Sequence, residues 1–337
     1  MNTFNQQLVA KNAFSDILGQ AETKKQLSSA LLMHRHVIVI GPPGVGKTTL
    51  AKNVAKLLPD TVVNDCDYHC DPVKPLCPQC KAAKKVLTKK VSGMERFVRV
   101  QGSPDLTAED LLGDIDPLKA LKFGPTSVEA FTPGKIFKAN NGVFFFDELN
   151  RAPEKIQNSL LQVLEEGTAT IGSYSVDLPA NFLFIGTMNP EDTAATEKLS
   201  DVFLDRFDTV VMSYPESQDL EEQIVIAKGE RLAVTFPSEL LADAIGFVRA
   251  LREHKDVKKK PSVRASLGLY ERAQANAVLE QRDEVTADDL ANAMLSVLSH
   301  RMELKPAIKY IQTTEAFVDE QYKKYAQNKP SLRGDFL

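Results

Sequence analysis

One stretch constrains this chain more than any other: Gly41-Pro42-Pro43-Gly44-Val45-Gly46-Lys47-Thr48, with Thr49 behind it. It fits the spacing G-x-x-x-x-G-K-[ST] of a phosphate-cradling loop. Ahead lies His36-Val37-Ile38-Val39-Ile40, a short apolar, β-branched run that reads as a buried strand. Behind it, Leu50, Val54, Leu57 and Leu58 recur at helical spacing. Glycines let consecutive backbone N–H groups converge on an anion, and the following helix turns its partly positive end toward it. Lys47 is placed to reach the β- and γ-phosphates of a nucleotide, and the Thr48 hydroxyl to ligate Mg²⁺. A purely structural glycine turn is the bland alternative, but loop, lysine, hydroxyl and both flanks agree against it.

The rest of the chain supplies what such a loop needs. Val143-Phe144-Phe145-Phe146 is an apolar run that ends abruptly in Asp147-Glu148, as a buried strand does at its carboxyl end. Asp147 is a candidate Mg²⁺ ligand and Glu148 a candidate general base for the attacking water. Phe182 to Met188 is a further buried strand, ending at Asn189, whose amide could orient that water. Arg206, in Leu204-Asp205-Arg206-Phe207, could stabilise transition-state charge on a neighbouring subunit's nucleotide in a ring. Arg264 opens a later helix and could touch the same phosphates. For either arginine alone, a solvated surface position is the default reading.

Strands alternate with helices up to Pro215, and only helical patterns follow, over 217–228, 238–252, 262–281, 286–302 and within 314–326. The expected fold is therefore α/β, a P-loop NTPase core with a parallel sheet, followed by a smaller all-α lid. The expected domains are residues 1–215, with a cysteine-bearing insertion at 61–95, then a lid at 216–303 and a helical tail at 304–337.

That insertion holds every cysteine of the chain: Cys66, Cys70, Cys77 and Cys80. Two short-spaced pairs around a proline-bearing loop suit structural Zn²⁺. An iron–sulfur cluster and unligated thiols are the alternatives, and His69 is a possible substitute ligand. Lys81 to Lys90, read as a solvated helix face, is the one local basic patch of any length, and Lys255 to Lys260 a shorter one. With a net charge of −4 and no aromatics among the lysines, nucleic acid is not the expected partner. No basic-then-apolar leader opens the sequence and no apolar run approaches ~18 residues, so a cytoplasmic protein without membrane contact is expected.

In combination, these motifs resemble the AAA+ ATPases, and more narrowly the MoxR and magnesium-chelatase I-subunit group. The resemblance runs from about Phe14 to about Arg301. It implies that Arg206 is the arginine finger, Asn189 is sensor 1 and Arg264 is sensor 2. It makes Asp110-Leu111-Leu112-Gly113 to Phe131-Thr132-Pro133-Gly134 the insert in helix 2, and 166–179 the hairpin before the Asn189 strand. It also implies homo-hexameric rings with ATP between subunits. The usual partner carries a von Willebrand factor A domain, expected here on a separate polypeptide. Chaperone-like maturation of a metalloenzyme and the motor of a porphyrin metal chelatase both fit. A DNA-directed motor of helicase or loader type is the alternative from another class, and a nucleotide-binding scaffold without turnover is disfavoured by the intact acid pair.

Overall fold

A computed structural model describes residues 3–332 except 67, 76, 84, 126, 172–173, 180 and 191–198. The chain forms two compact units, one of residues 1–17, 21–41 and 46–212 and the other of 18–20, 42–45 and 213–337.

The first unit is built on five strands: β1 (Val37–Ile40), β2 (Phe97–Gln101), β3 (Val143–Asp147), β4 (Leu183–Met188) and β5 (Asp208–Val211). They lie side by side in the order 5-1-4-3-2, all parallel. Helices on both faces are what a parallel sheet requires, so its central strands are apolar throughout rather than alternating. Val37, Ile38 and Val39 are fully buried, as are Phe144, Phe145 and Phe146. Helix Lys47–Leu57 follows β1 and buries Leu50, Ala51 and Val54. Helix Glu154–Glu166 follows β3, opens behind Pro153 and stops at Gly167, whose φ of 63° is the left-handed conformation a helix end favours.

Besides the expected hairpin of Thr168–Ile171 with Tyr174–Pro179, two further antiparallel hairpins grow from this frame. Thr61–Asn64 pairs with Thr88–Val91 and brackets the cysteines, in a stretch whose sequence reads as irregular. The second strand shows why: its burial runs exposed, exposed, exposed, buried, with Lys89 and Lys90 outward. The expected charged helix face is thus in part a strand, where Lys89 pairs with Asp65 at 2.8 Å and Lys90 with Asp60 at 3.0 Å. The buried Arg96 closes the base of the insertion by donating to the carbonyls of Pro59, Ser92 and Asn141. The other hairpin pairs Gly113–Ile115 with Phe131–Pro133 and carries helix Pro117–Phe123, none of whose residues is buried.

The second unit is mainly helical, with Gln218–Lys228, Ser238–Glu253, Val263–Leu279, Ala287–Leu298 and Thr314–Ala326 around a core that includes Phe247, Leu269, Leu290 and Phe317. Strand structure does not end at Pro215 as the sequence suggests. Val257–Lys259 and Glu303–Leu304 form a two-stranded antiparallel ladder that uses part of the second lysine run. Segments this short leave no periodicity to read. Among the described residues, no helix is long and apolar enough to cross a membrane.

Candidate active site

The phosphate loop leaves the carboxyl end of β1, the edge of a parallel sheet where ligands bind. Gly44 has φ 76° and Gly46 φ 104°, backbone that a side chain would strain. Gly46 caps helix Lys47–Leu57, so Lys47 and Thr48 sit in its first turn, with their backbone N–H groups unclaimed by the helix. Lys47 Nζ donates to the Gly41 carbonyl at 2.6 Å, which folds the ammonium back over the loop. Pro42, Pro43, Val45 and Thr48 are half-buried and Thr49 is exposed. Residues 42–45 group with the second unit, where a Cβ on Gly44 would come within 2.5 Å of Ser262 Oγ and 3.3 Å of Arg264 Cγ.

The acids stand at the end of β3. Asp147 accepts from Thr187 Oγ1 at 2.6 Å and from Arg99 at 2.7 Å. The same Thr187 oxygen accepts the Glu148 N–H at 2.9 Å, so one buried hydroxyl fixes both acids. Glu148 has φ 54°, which turns it out of the strand. Its carboxylate accepts from Gln101 Nε2 at 2.8 Å and lies 3.4 Å from Arg151. Arg99, Gln101 and Thr187 were not singled out from sequence. Parallel register explains the two on β2: Gln101 is the cross-strand partner of Asp147, and Arg99 lies two residues earlier on the same face. An oxygen-only donor set of one hydroxyl and one carboxylate, Thr48 and Asp147, fits Mg²⁺. Asn189 directly follows β4 at the same carboxyl edge.

Arg206 lies elsewhere. It precedes β5, whose first residue Asp208 pairs with Val37 at the amino end of β1. The loop follows Ile40 at the other end, roughly 3.3 Å per residue away along the strand. Its guanidinium donates to Glu165 at 2.5 Å and to the Val202 carbonyl.

Arg264 belongs to the first turn of helix Val263–Leu279, capped by Ser262. A buried network underlies it. Glu221 accepts two bonds from Arg252, both at 2.5 Å, and one from Ser266 at 2.5 Å. Arg252 Nε also donates to the Pro261 carbonyl at 2.7 Å. Burial pushes the Glu221 carboxyl upward, but these donors outweigh it and hold its pKa below the ordinary value.

The four cysteines converge although Cys66 and Cys80 are fourteen residues apart. Their sulfurs all lie within 4.8 Å of one another, and all four are free thiols. Tetrahedral zinc with Zn–S near ~2.3 Å needs sulfurs about 3.8 Å apart, so a small contraction completes the site. Backbone N–H groups of Cys70, Cys77 and Cys80 donate to Cys66, Cys70 and Cys77 sulfurs at 3.4, 3.3 and 3.4 Å, bonds that stabilise thiolates. Burial pushes the Cys77 thiol up to about 11 and raises Cys80. Burial also acts upward on Cys66, but N–H donors from Cys70 and Tyr68 hold it below the ordinary value. A dication reverses the upward shifts, since a coordinated thiol is deprotonated outright.

Known proteins match the chain in consecutive pieces. The family model "Magnesium chelatase, subunit ChlI" covers residues 13–83, "ATPase family associated with various cellular activities (AAA)" covers 78–209, and "AAA lid domain" covers 249–321. The chain is 29% identical over 326 residues to magnesium-chelatase subunit ChlI-2 of Arabidopsis thaliana, across 87% of this chain and 76% of that one. It is 28% identical over 324 residues to a ChlI homologue of Methanocaldococcus jannaschii, across 87% and 86%. Among solved structures, NtrX from Brucella abortus in complex with ADP shares the fold, with a TM-score of 0.52 at 14% identity over 96% of this chain and 66% of that one. A parallel 5-1-4-3-2 sheet, a phosphate loop on β1, paired acids on β3 and this run of family matches lead to one conclusion: the chain belongs to the AAA+ ATPases of the magnesium-chelatase I-subunit group, and it hydrolyses ATP.

Proposed function

We propose that this ATPase works as a ring, a homo-hexamer in which each protomer completes its neighbour's site, and that the ring remodels or activates a separate partner protein. The observation that carries the reading is the place of Arg206. It sits at the amino edge of the sheet and the phosphate loop at the carboxyl edge, so Arg206 serves a nucleotide only across a subunit boundary.

Within each site, Lys47 and the N–H groups opening its helix bind the β- and γ-phosphates. Pro42, Pro43 and Val45 shape the loop around them, and Thr49 extends its first helical turn. Thr48 and Asp147 would hold Mg²⁺, which would offset the charge of the phosphates. Glu148 takes a proton from the attacking water, which Asn189 orients. Arg206 of one protomer stabilises the charge that develops on the next protomer's nucleotide, and Arg264 senses the phosphates from the helical part of the chain. Residues 1–215 serve as the nucleotide domain, 216–303 as the lid and 304–337 as its tail. The four cysteines hold a structural Zn²⁺; the converging sulfurs and their N–H donors support it.

The partner we propose carries a von Willebrand factor A domain, in a magnesium-chelatase-like motor or a MoxR-like chaperone. The magnesium-chelatase relatives favour the motor. Mixing two inactive variants tests the ring. Lys47→Ala cannot bind the phosphates and Arg206→Ala cannot complete its neighbour, yet mixed rings contain sites with both residues intact and should recover turnover. No recovery in rings shown to be mixed would sink the reading. Glu148→Gln, loaded with ATP, then serves as bait for the partner.

A further inference from the structure

The cysteine site and the Gly113–Ile115/Phe131–Pro133 hairpin are adjacent in space though about forty residues apart in sequence. Tyr68, two residues after Cys66, is buried with its ring 5.8 Å from that of Phe137. Phe137 in turn meets Phe131 of the hairpin edge to face, at 6.0 Å. Helix Pro78–Ala82, which carries Cys80, packs against the turn Val128–Ala130 leading into the second hairpin strand. Cys70, Cys77 and Cys80 share one apolar cluster with Leu111, Leu112 and Ile136.

We propose that the metal bound by Cys66, Cys70, Cys77 and Cys80 is the buttress of residues 111–138, and that loading this site sets how firmly the hairpin and its exposed helix are held. The proposal rests on the reading of the cysteines as a zinc site.

The hairpin cannot supply that firmness alone. Its paired strands are three residues each, and a two-stranded ribbon is marginal at best without something to pack on. Helix Pro117–Phe123 buries no residue and leaves Leu118 and Leu121 exposed. What the hairpin rests on includes Tyr68, which lies between Cys66 and Cys70, and helix Pro78–Ala82, which carries Cys80. The segment from Asn64 to Leu87 holds few large apolar side chains and several prolines, too little to order itself by burial. Four metal–thiolate bonds would fix the backbone at residues 66, 70, 77 and 80 and with it the buried faces of Tyr68 and Cys80. The donor set is all sulfur, which selects Zn²⁺ over the Mg²⁺ of the nucleotide site, so the two ions load independently.

The test compares amide hydrogen exchange of the full chain with zinc bound and after stripping by a thiol-competing chelator, with metal content measured on each sample. One zinc per chain is expected. On stripping, exchange in 111–115 and 131–138 should rise at least about tenfold, while helix Lys47–Leu57 changes by less than about twofold. Nucleotide binding should be retained. Tyr68→Ala keeps all four ligands, so it should still bind one zinc and yet loosen the same hairpin. If zinc binds at one equivalent but 111–138 exchanges equally with and without it, the buttress is overturned and the metal site stands. If the chain retains no zinc and takes up none when Zn²⁺ is added, both fall.

Discussion

Asp147 and Glu221 are among the carboxylates of this molecule that sit against arginines, and they differ in what water can reach. Asp147, at the end of β3, is 14% exposed and its partner Arg99 is 51% exposed. Glu221, in the helical unit, is 0% exposed and its partner Arg252 is 4% exposed. The first pair costs little to separate, because solvent takes over whatever the arginine gives up. The second cannot separate without leaving a charge in a nearly dry interior. A carboxylate proposed to exchange an arginine for a metal ion needs the first setting. One that holds Ser266, and the Arg252 that in turn donates to the Pro261 carbonyl, in fixed positions beneath Arg264 needs the second. The contrast divides the charged residues into those that turn over and those that hold.

The hardest test of that division is to remove the buried partner. Glu221→Ala leaves Arg252 without its carboxylate and should destabilise the helical unit by about 3–5 kcal/mol in denaturant unfolding. Replacing both residues by apolar ones of similar size, Glu221→Leu with Arg252→Met, should recover most of that loss. A small effect of the single substitution would break the comparison, since water would then reach the pair.

At the strand end the same kind of change should leave stability alone and stop chemistry. Glu148→Gln keeps the hydrogen bond to Gln101 and removes the basic oxygen, so turnover should fall on the order of 10²–10³-fold while nucleotide binding persists. Because Glu148 is solvent-accessible, the melting temperature should move by no more than a degree or two. A large drop in stability would mean that this acid also holds structure.

Acid separates the buried groups from one another. His36 accepts the Phe184 N–H at its Nδ1 at 3.2 Å among the rings of Phe182, Phe184 and Phe207. Burial, helped by the charge of Arg35, lowers its pKa from 6.5 to about 4. The unfolded chain therefore binds the proton first. Stability is full above pH 6.5 and declines as the pH falls toward 4, by up to about 3 kcal/mol. Glu221 is an acid held below its ordinary value of 4.5, so its contribution is whole above that value and fades as the pH falls below it, at the bottom of that window. Urea midpoints measured from pH 8 to 4 should show the first decline in the wild type and lose it in His36→Gln.

Much of this was legible because phosphate chemistry demands fixed residue types at fixed spacing. Gly41 to Thr48, Asp147-Glu148 and Asn189 all come to the carboxyl edge of one sheet, as their strands' apolar runs suggested. What was not readable is register and contact at a distance. Nothing near Gln101 in sequence announces that it faces Asp147 across a ladder, and Glu221 and Arg252 meet thirty-one residues apart. The two hairpins were lost for another reason. Their strands are three or four residues long and partly charged, and their order depends on what they pack against.

The smallest predicted effect concerns the partner that must yield. Arg99 donates to Asp147 Oδ2 and lies close enough to Gln101 to donate to its amide oxygen at 3.1 Å. While Arg99 is paired with Asp147, it competes with a cation for that oxygen. Removing it leaves Asp147 still oriented by the Thr187 hydroxyl at its other oxygen, so the ligand stays in place and loses only a competitor. Arg99→Ala should therefore lower the Mg²⁺ concentration that half-saturates ATPase activity, by a few-fold and no more than about 1 kcal/mol, because the exposed pair is well screened. A magnesium titration at fixed ATP reads this directly. Weaker magnesium dependence of the opposite sign, with a higher half-saturating concentration, would mean that Arg99 positions Asp147 rather than competing for it, and the exposed pair would then belong with the buried one.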